Sequence, residues 1–398
     1  MERMQRGKVY PNIAVTVWKK AVGYRENHNR KRNRMKKTIR RYTGILLLTM
    51  GVFPLSCAQN HSADTCRKER SLFRVMCYNV ENLFDLEDDP EKDDEDFLPE
   101  GKMNWTKTRY NRKINQIGEV ISRAGQWDWP AIVGLTEVES DLALKDLVST
   151  SILRNRGYKY MITDSPDKRG VDVALLYLPE YFKPVRRNEF TVHFSTDPEK
   201  RSRNILYVSG QLPNGSLLHV MVCHLPSRRE GARETAIFRR ETAAVMRRMC
   251  DSLAKNDNDA NILIMGDFNG NPQEAATTHE LRAGLLLPKH APEKIRSYPP
   301  QLYNLFGEHE TANPSGSYVY KGRWTQLDQM IISESLLLKN GTMSYVPGSA
   351  HTMYEKFLLH FYDDGIRDPV PERTYTGPVY KGGYSDHLPI VADFLVMP

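Results

Sequence analysis

Apolar runs of strand length alternate with helical stretches over most of the chain, and two kinds of connection join them. "FRVMCYNV" (Phe73–Val80) leads into a helix predicted near Thr108–Ala124, where Ile114, Ile117 and Ile121 share one face. "PAIVGLTEV" is the next strand, followed by a helix through Leu142–Leu153 and the strands "YKYMI" and "VDVALLYL". After these, "NILYVSGQL" and "SLLHVMVCHL" face each other across a Pro-Asn-Gly turn, the shape of a hairpin. A long helix from about Ala232 to Ala254, the strand "NILIMGD" and the late strands "LDQMIIS" and "LPIVADFLV" complete the pattern. Helical crossovers join parallel neighbours and hairpins join antiparallel ones, so the sheets should be mixed. The expected fold is α/β, a layered sandwich rather than one parallel sheet.

Charge separates the leader from the rest. Residues 1–43 hold fourteen Lys/Arg and two Asp/Glu, so a whole-chain charge of +7 leaves −5 for everything after them. A protein that coats nucleic acid through a broad basic face is excluded. "MKKTIRR" (Met35–Arg41), the apolar "GILLLTMGVFPLSC" (Gly44–Cys57) and the polar "AQNHSADT" follow the order of an export signal, and the apolar run is too short and interrupted to favour spanning a membrane. Ser56 and Ala58 offer ordinary cleavage after Ala58, whereas "LSC" offers a lipidated N-terminus at Cys57. The expected organisation is therefore an upstream extension over residues 1–34, a signal over 35–58, a short linker over 59–71 and one folded domain over 72–398. Cys66, Cys77, Cys223 and Cys250 have neither CxxC nor His-paired metal spacing, and Cys77 and Cys223 lie in strands as small core residues. The acidic run Glu87–Asp96 faintly resembles a calcium loop, but Pro90 and Lys92 interrupt it, so it reads as a solvated loop.

Polar residues stand where the strands end. Asn79 and Glu81 close the first, Glu137 the second and His224 the hairpin. "IMGDFNGNP" breaks an apolar strand at Asp267 and Asn269, Asp328 opens "LDQMIIS", and Asp386-His387 precede the last strand. Singly, each is a cap or a turn residue. Together, at strand ends where layered α/β proteins gather their sites, they form a candidate catalytic set. The spacing of Asp267 and Asn269 would put both side chains on one side of an extended chain.

In this order, from "CYNVENLFD" to "SDHLPIVADF", the motifs resemble the endonuclease/exonuclease/phosphatase superfamily, which includes DNase I-like nucleases, abasic-site endonucleases, inositol polyphosphate 5-phosphatases and neutral sphingomyelinases. The resemblance implies a four-layered α/β sandwich, two mixed sheets flanked by helices, with the site at one rim. It implies that Glu137 is the principal metal ligand, that Glu81 is a second acidic ligand and that Asp386 serves the metal's outer shell. These are hard oxygen donors that suit Mg²⁺, with Mn²⁺ or Ca²⁺ as alternatives. By the same resemblance Asp267 takes a proton from the attacking water and Asn269 holds that water or the phosphate. Asn79 orients the phosphate or metal. His387 donates to a phosphoryl oxygen, with Asp328 fixing its charge or tautomer. His224 matches the histidine of nuclease and sphingomyelinase members, where abasic-site enzymes depart.

Arg228, Arg229 and Arg233 follow His224 in "SRREGARE" and suggest a second phosphate grip. The expectation is an exported, monomeric phosphodiesterase acting on nucleic acid, with a lipid phosphodiesterase or an inositol-phosphate phosphatase as alternatives. The 5-phosphatase patterns "WxGDxNYR" and "PAWCDR" are absent: Met265 precedes Gly266, Gly270 follows Asn269, and "RWTQLDQ" occupies Arg323–Gln329. An extracellular binding protein on an inactive scaffold is the rival class. The intact set of Glu137, Asp267, Asn269, Asp328 and His387 argues against it.

Overall fold

The computed structural model describes residues 71–125, 128–295, 297–299, 301–307, 316–364 and 367–398. The leader, its two exits at Ala58 and Cys57, and Cys66 lie outside these residues.

Two seven-stranded sheets carry the domain. In the first, Met343–Tyr345, Ile390–Val396, Ser71–Leu83, Ile132–Val138, Asp172–Tyr177 and Lys159–Ile162 lie side by side, with His351–Thr352 also on Ile390–Val396. The second orders Lys183–Phe190, Ile205–Gln211, Leu217–His224, Asn261–Asp267, Asp328–Ser333, Leu302–Asn304 and Ala283–Gly284. Both are mixed. Ser71–Leu83 runs parallel to Ile132–Val138 and antiparallel to Ile390–Val396, and Asn261–Asp267 is parallel to Leu217–His224 and antiparallel to Asp328–Ser333.

The alternation within one strand explains the layers. In Ser71–Leu83, Phe73, Val75 and Cys77 face the second sheet and pack with Val220, Val222, Leu263 and Met330. Met76, Tyr78 and Val80 face the other way, onto Ile114, Ile117 and Ile121 of the helix Lys107–Ala124 and Leu144 of the helix Asp141–Thr150. On the far side of the second sheet, Met221, Cys223, Ile262 and Ile264 pack on Ala243 and Met246 of the helix Ala236–Asn256. A strand buried on both faces reads as a continuous apolar run, which is what these sequences are. The order is helices, sheet, sheet, helix. Gly134 permits close approach between the sheets, because a Cβ there would lie 2.9 Å from the Met265 side chain.

Four local expectations change. The long helix begins at Ala236 rather than Ala232, because Arg228–Thr235 is taken up in turns in which Thr235 hydrogen-bonds the Gly231 carbonyl. The second helix stops at Thr150 and gives way to a short 3₁₀ turn, Ile152–Asn155. Lys183–Phe190 is an edge strand that apolar patterning could not show; its Arg186, Arg187 and Asn188 are typical of a protected edge. The acidic run is solvated except at Asp94, which is 1 % exposed and accepts the Asp89 amide, while Lys92 reaches the Ser165 carbonyl. Cys77, Cys223 and Cys250 are buried free thiols.

Candidate active site

Strand register brings the polar residues to one place. In the first sheet Asn79 pairs with Thr136, next to Glu137, and Cys77 pairs with Ile390, just beyond Asp386-His387. In the second, Asp267 pairs with His224 on one side and with Asp328 on the other. A hydrogen bond from Asn79 Nδ2 to Asp267 Oδ2, 3.1 Å, ties the two rims together.

The acids of the first sheet sit on irregular backbone. The register of the two parallel strands shifts between Asn79 and Leu83, and Glu81 and Asn82 take φ of 50° and 54°. Ile132–Val138 shifts against its other neighbour between Thr136 and Val138, with Glu137 at φ 65°. Non-glycine residues at such angles cluster at functional sites, and bulges re-aim side chains. Here the effect is visible: Glu137 Oε2 accepts the Asn82 amide at 3.1 Å. Asn269 has φ 47°, so the expected extended path after Asp267 is replaced by a turn. The turn still joins the two residues, with the Asn269 amide donating to Asp267 Oδ1 at 2.7 Å and Asn269 Nδ2 donating to the Leu225 carbonyl at 3.0 Å. Gly266 is required just before them, since a Cβ there would fall 1.8 Å from the Cys223 carbonyl oxygen.

Asp267 lies between two histidines. His224 Nε2 is 3.5 Å and His387 Nε2 3.8 Å from its Oδ2. Burial pushes the Asp267 carboxyl up to about 6, against the pull of the His387 charge. The histidines are driven in opposite directions. Burial, aided by the guanidinium groups of Arg203 and Arg169, holds His224 well below the ordinary range, so it is neutral. Burial also works against charge on His387, but Asp328, Asp267 and Asp386 overcome it and hold that ring protonated, well above the ordinary range. His387 Nδ1 donates to Asp328 Oδ2 at 2.7 Å, and the same oxygen accepts from Ser317 Oγ at 2.5 Å. Tyr318 lies 4.7 Å from the His387 ring, centroid to centroid.

The acidic flank is crowded. Burial raises Asp386, and Glu137 raises it further despite His387 and Arg373, whose guanidinium lies 3.5 Å from Asp386 Oδ2. Burial and Asp386 push Glu81 up to about 7, although it accepts the Thr374 and Tyr375 amides at 2.6 and 3.2 Å. Burial opposes charge on Glu137, yet Arg169, His387, Arg203 and Arg229 hold it below the usual range. Carboxylate oxygens crowded in this way fit a hard divalent cation, with Glu137 best placed because its Oε1 has only the His224 ring near it, at 4.0 Å. Among the described residues, no three Asp, Glu, His or Cys side chains already converge as a finished cage.

Two arginines differ from expectation. Arg228 is not free to grip phosphate: its Nε donates to the Asn269 carbonyl at 2.6 Å and its guanidinium pairs with Glu274, so it braces the Asn269 turn. Arg229 and Arg233 are exposed in the turns before the helix rather than on it.

Several supporting residues have no local sequence signal. Arg203, in the basic stretch "KRSRN", reads as solvated but is buried, donating to the carbonyls of His224 and Leu225 at 3.2 and 2.6 Å and pairing with Asp167 at 3.0 Å. Lys113 precedes the apolar Ile114, yet its buried Nζ reaches Thr374 Oγ1 and the Tyr384 carbonyl at 2.5 and 2.6 Å. Ser317 lies between two connections the pattern left unassigned. Each partner is remote in sequence, so only the fold reveals them.

Two mixed sheets packed face to face, with a base, two histidines and a crowd of acids on one rim, define a DNase I-like sandwich. The chain belongs to the endonuclease/exonuclease/phosphatase family, whose description its residues 74–395 match. A family protein from Bacteroides thetaiotaomicron shares the fold at 13 % identity and TM-score 0.51, over 83 % of this chain and 99 % of that one. The human nocturnin catalytic domain with bound sulfate (18 % identity, TM-score 0.48) is similar over 82 % of this chain and 97 % of that one. A mannosyl-6-phosphatase from Bacteroides thetaiotaomicron (14 %, 0.49) is similar over 82 % and 100 %. Among curated protein sequences, none matches the chain. Family membership makes phosphoester hydrolysis its chemistry and a divalent metal ion its general requirement.

Proposed function

We propose that the chain is an exported Mg²⁺-dependent phosphodiesterase that cleaves nucleic acid. The observation that carries the reading is Asp267, set between a neutral and a protonated histidine and braced by two asparagines. A diester hydrolase needs a base for water, a cation at the phosphoryl oxygens and fixed donors around them. Asp267 accepts the water proton, and a carboxyl at about 6 is ionised at neutral pH yet basic enough to take it. His387, charged and fixed by Asp328, donates to a phosphoryl oxygen. The neutral His224 contributes a hydrogen bond rather than a charge. Asn79 and Asn269 hold the base in one rotamer and present amide dipoles beside it. A divalent cation held by Glu137, with Glu81 and Asp386 beside it, would neutralise phosphate charge.

A substrate panel of plasmid DNA, RNA, sphingomyelin and inositol phosphates, run with Mg²⁺ and with chelator, tests the reading. Cleavage of DNA or RNA that chelator abolishes is the expected result; turnover confined to a lipid or an inositol phosphate overturns it. Glu137→Gln keeps volume and loses charge. Its Mg²⁺ affinity by calorimetry should fall by at least the roughly 10–100-fold that loss of an outer-shell partner costs. Unchanged affinity would make Glu137 structural.

Export rests on the basic and apolar leader alone. Mass spectrometry of the native N-terminus should find a lipidated Cys57 or a free Gln59. An intact start at Met35 would refute export.

A further inference from the structure

Beside the catalytic rim lies a cleft of about 850 Å³. One wall is the hairpin Tyr318–Tyr320 and Arg323–Thr325, whose two-residue turn, Lys321 at φ 49° and Gly322 at φ 76°, fixes Lys321 at its tip. The strand pairs Leu359–His360 with Val370–Pro371 and Tyr375–Thr376 with Val379–Tyr380 contribute the rest. The cleft shares walls with the site: Arg373 lines it and reaches Asp386, and Val319 lines it next to Tyr318, which bridges to His387. Its lining joins ring faces to cations. Trp324 is braced edge-on by Tyr354, and the Arg367 guanidinium lies 3.8 Å over the Tyr362 ring. Lys321 and Lys381 are exposed and, among the described residues, make no ion pair. Four cations line the cleft against Asp368 and Glu372, in a chain that carries −5 after residue 43.

We infer that this cleft binds a nucleotide unit next to the scissile phosphate, the base against Trp324 and Tyr362 and a neighbouring phosphate on Lys321 and Lys381. The inference rests on the nuclease reading and gives it a substrate class, a single-stranded segment. Aromatic stacking grips any base, and local ammonium groups supply the phosphate contact that the net charge does not. An acyl chain offers these lysines no partner, and a sugar phosphate has no π-face for the rings.

The test is the anisotropy of labelled oligothymidylate with the full chain in chelator, comparing wild type with Lys321→Glu/Lys381→Glu. Both positions are exposed, and matching thermal melts confirm folding. Binding should weaken about tenfold or more in the double variant, and the slope of log affinity against log salt should fall by about two, one per lost phosphate contact. With Mg²⁺, the ratio of kcat/KM on the oligonucleotide to that on methyl p-nitrophenyl phosphate should fall alongside. Equal affinity and equal salt slope in the two proteins overturn the cleft assignment, even if wild type cleaves DNA. Displacement of the oligonucleotide by glucose 6-phosphate as readily as by thymidine 5′-monophosphate also overturns it. Oligonucleotide binding that depends on the two lysines, without cleavage of DNA or RNA, supports the cleft and overturns the nuclease reading.

Discussion

Asp267→Asn should lower kcat by about 10²–10⁴ while leaving the fold intact. The substitution keeps shape and removes basicity. Its stability effect is a balance of two contributions. The new amide can still accept from the Asn269 amide, but it turns an NH₂ toward Asn79 Nδ2, and a buried donor left unpaired costs about 1–3 kcal/mol. Against this, the carboxyl rises from 3.8 to about 6 on folding. The folded state then binds the extra proton, so stability falls as pH rises through that interval, and the ionised group costs about 3 kcal/mol above it. A neutral amide removes that cost, and the opposing contributions are similar in size. A melting temperature near wild type with collapsed turnover is the expected pair. The wild-type rate should also climb as pH passes about 6, where Asp267 ionises, and that limb should vanish in the variant. Near-wild-type turnover would remove Asp267 from the mechanism.

What could be read before folding was the periodicity and the strand ends. Runs such as "NILIMGD" and "VDVALLYL" show both-face burial because every residue in them meets either a sheet or a helix. The polar residues that close these runs were legible for the same reason, as abrupt ends to apolar stretches. The bulges at Glu81 and Glu137 were not, because a positive φ at Glu has no sequence signature and arises from the register of two neighbouring strands. Arg228 was read as free because its partners, Asn269 and Glu274, lie far along the chain. Arg203 was hidden for a related reason: its environment is built from Asp167 and two carbonyls that follow the hairpin. Local pattern shows which residues are buried; it does not show which distant polar groups meet them.

That distinction bears on the two histidines. Sequence places both at strand ends and gives no ground for treating them differently. The structure separates them by their company. His224 faces arginines, which add to the effect of burial, whereas His387 has Asp328 bonded to one nitrogen and Asp267 near the other. One rim therefore holds a cationic donor and a neutral donor on either side of the base, without a second positive charge to depress Asp267 further.

Asp328→Asn should expose how much of catalysis depends on that asymmetry. Asp328 is wholly buried, and its Oδ2 accepts from both His387 and Ser317. An amide oxygen can accept the same two bonds, so the ring should stay in place. What disappears is the charge. Burial alone pulls His387 down, and the carboxylate is the first of the groups that oppose it. Without it the imidazolium loses its proton at lower pH, and the donor aimed at the phosphoryl oxygen becomes neutral. Removing one preorganised charge-stabilising donor costs about 10²–10³ in kcat. The loss should be largest at alkaline pH and smaller near pH 6, because the falling limb of the rate profile moves toward acid. Ser317→Ala separates charge from geometry: it deletes a hydrogen bond to the same oxygen but keeps the carboxylate, so its falling limb should stay close to wild type. If Asp328→Asn lowers the rate equally at every pH, Asp328 only positions the ring and the imidazolium has another source.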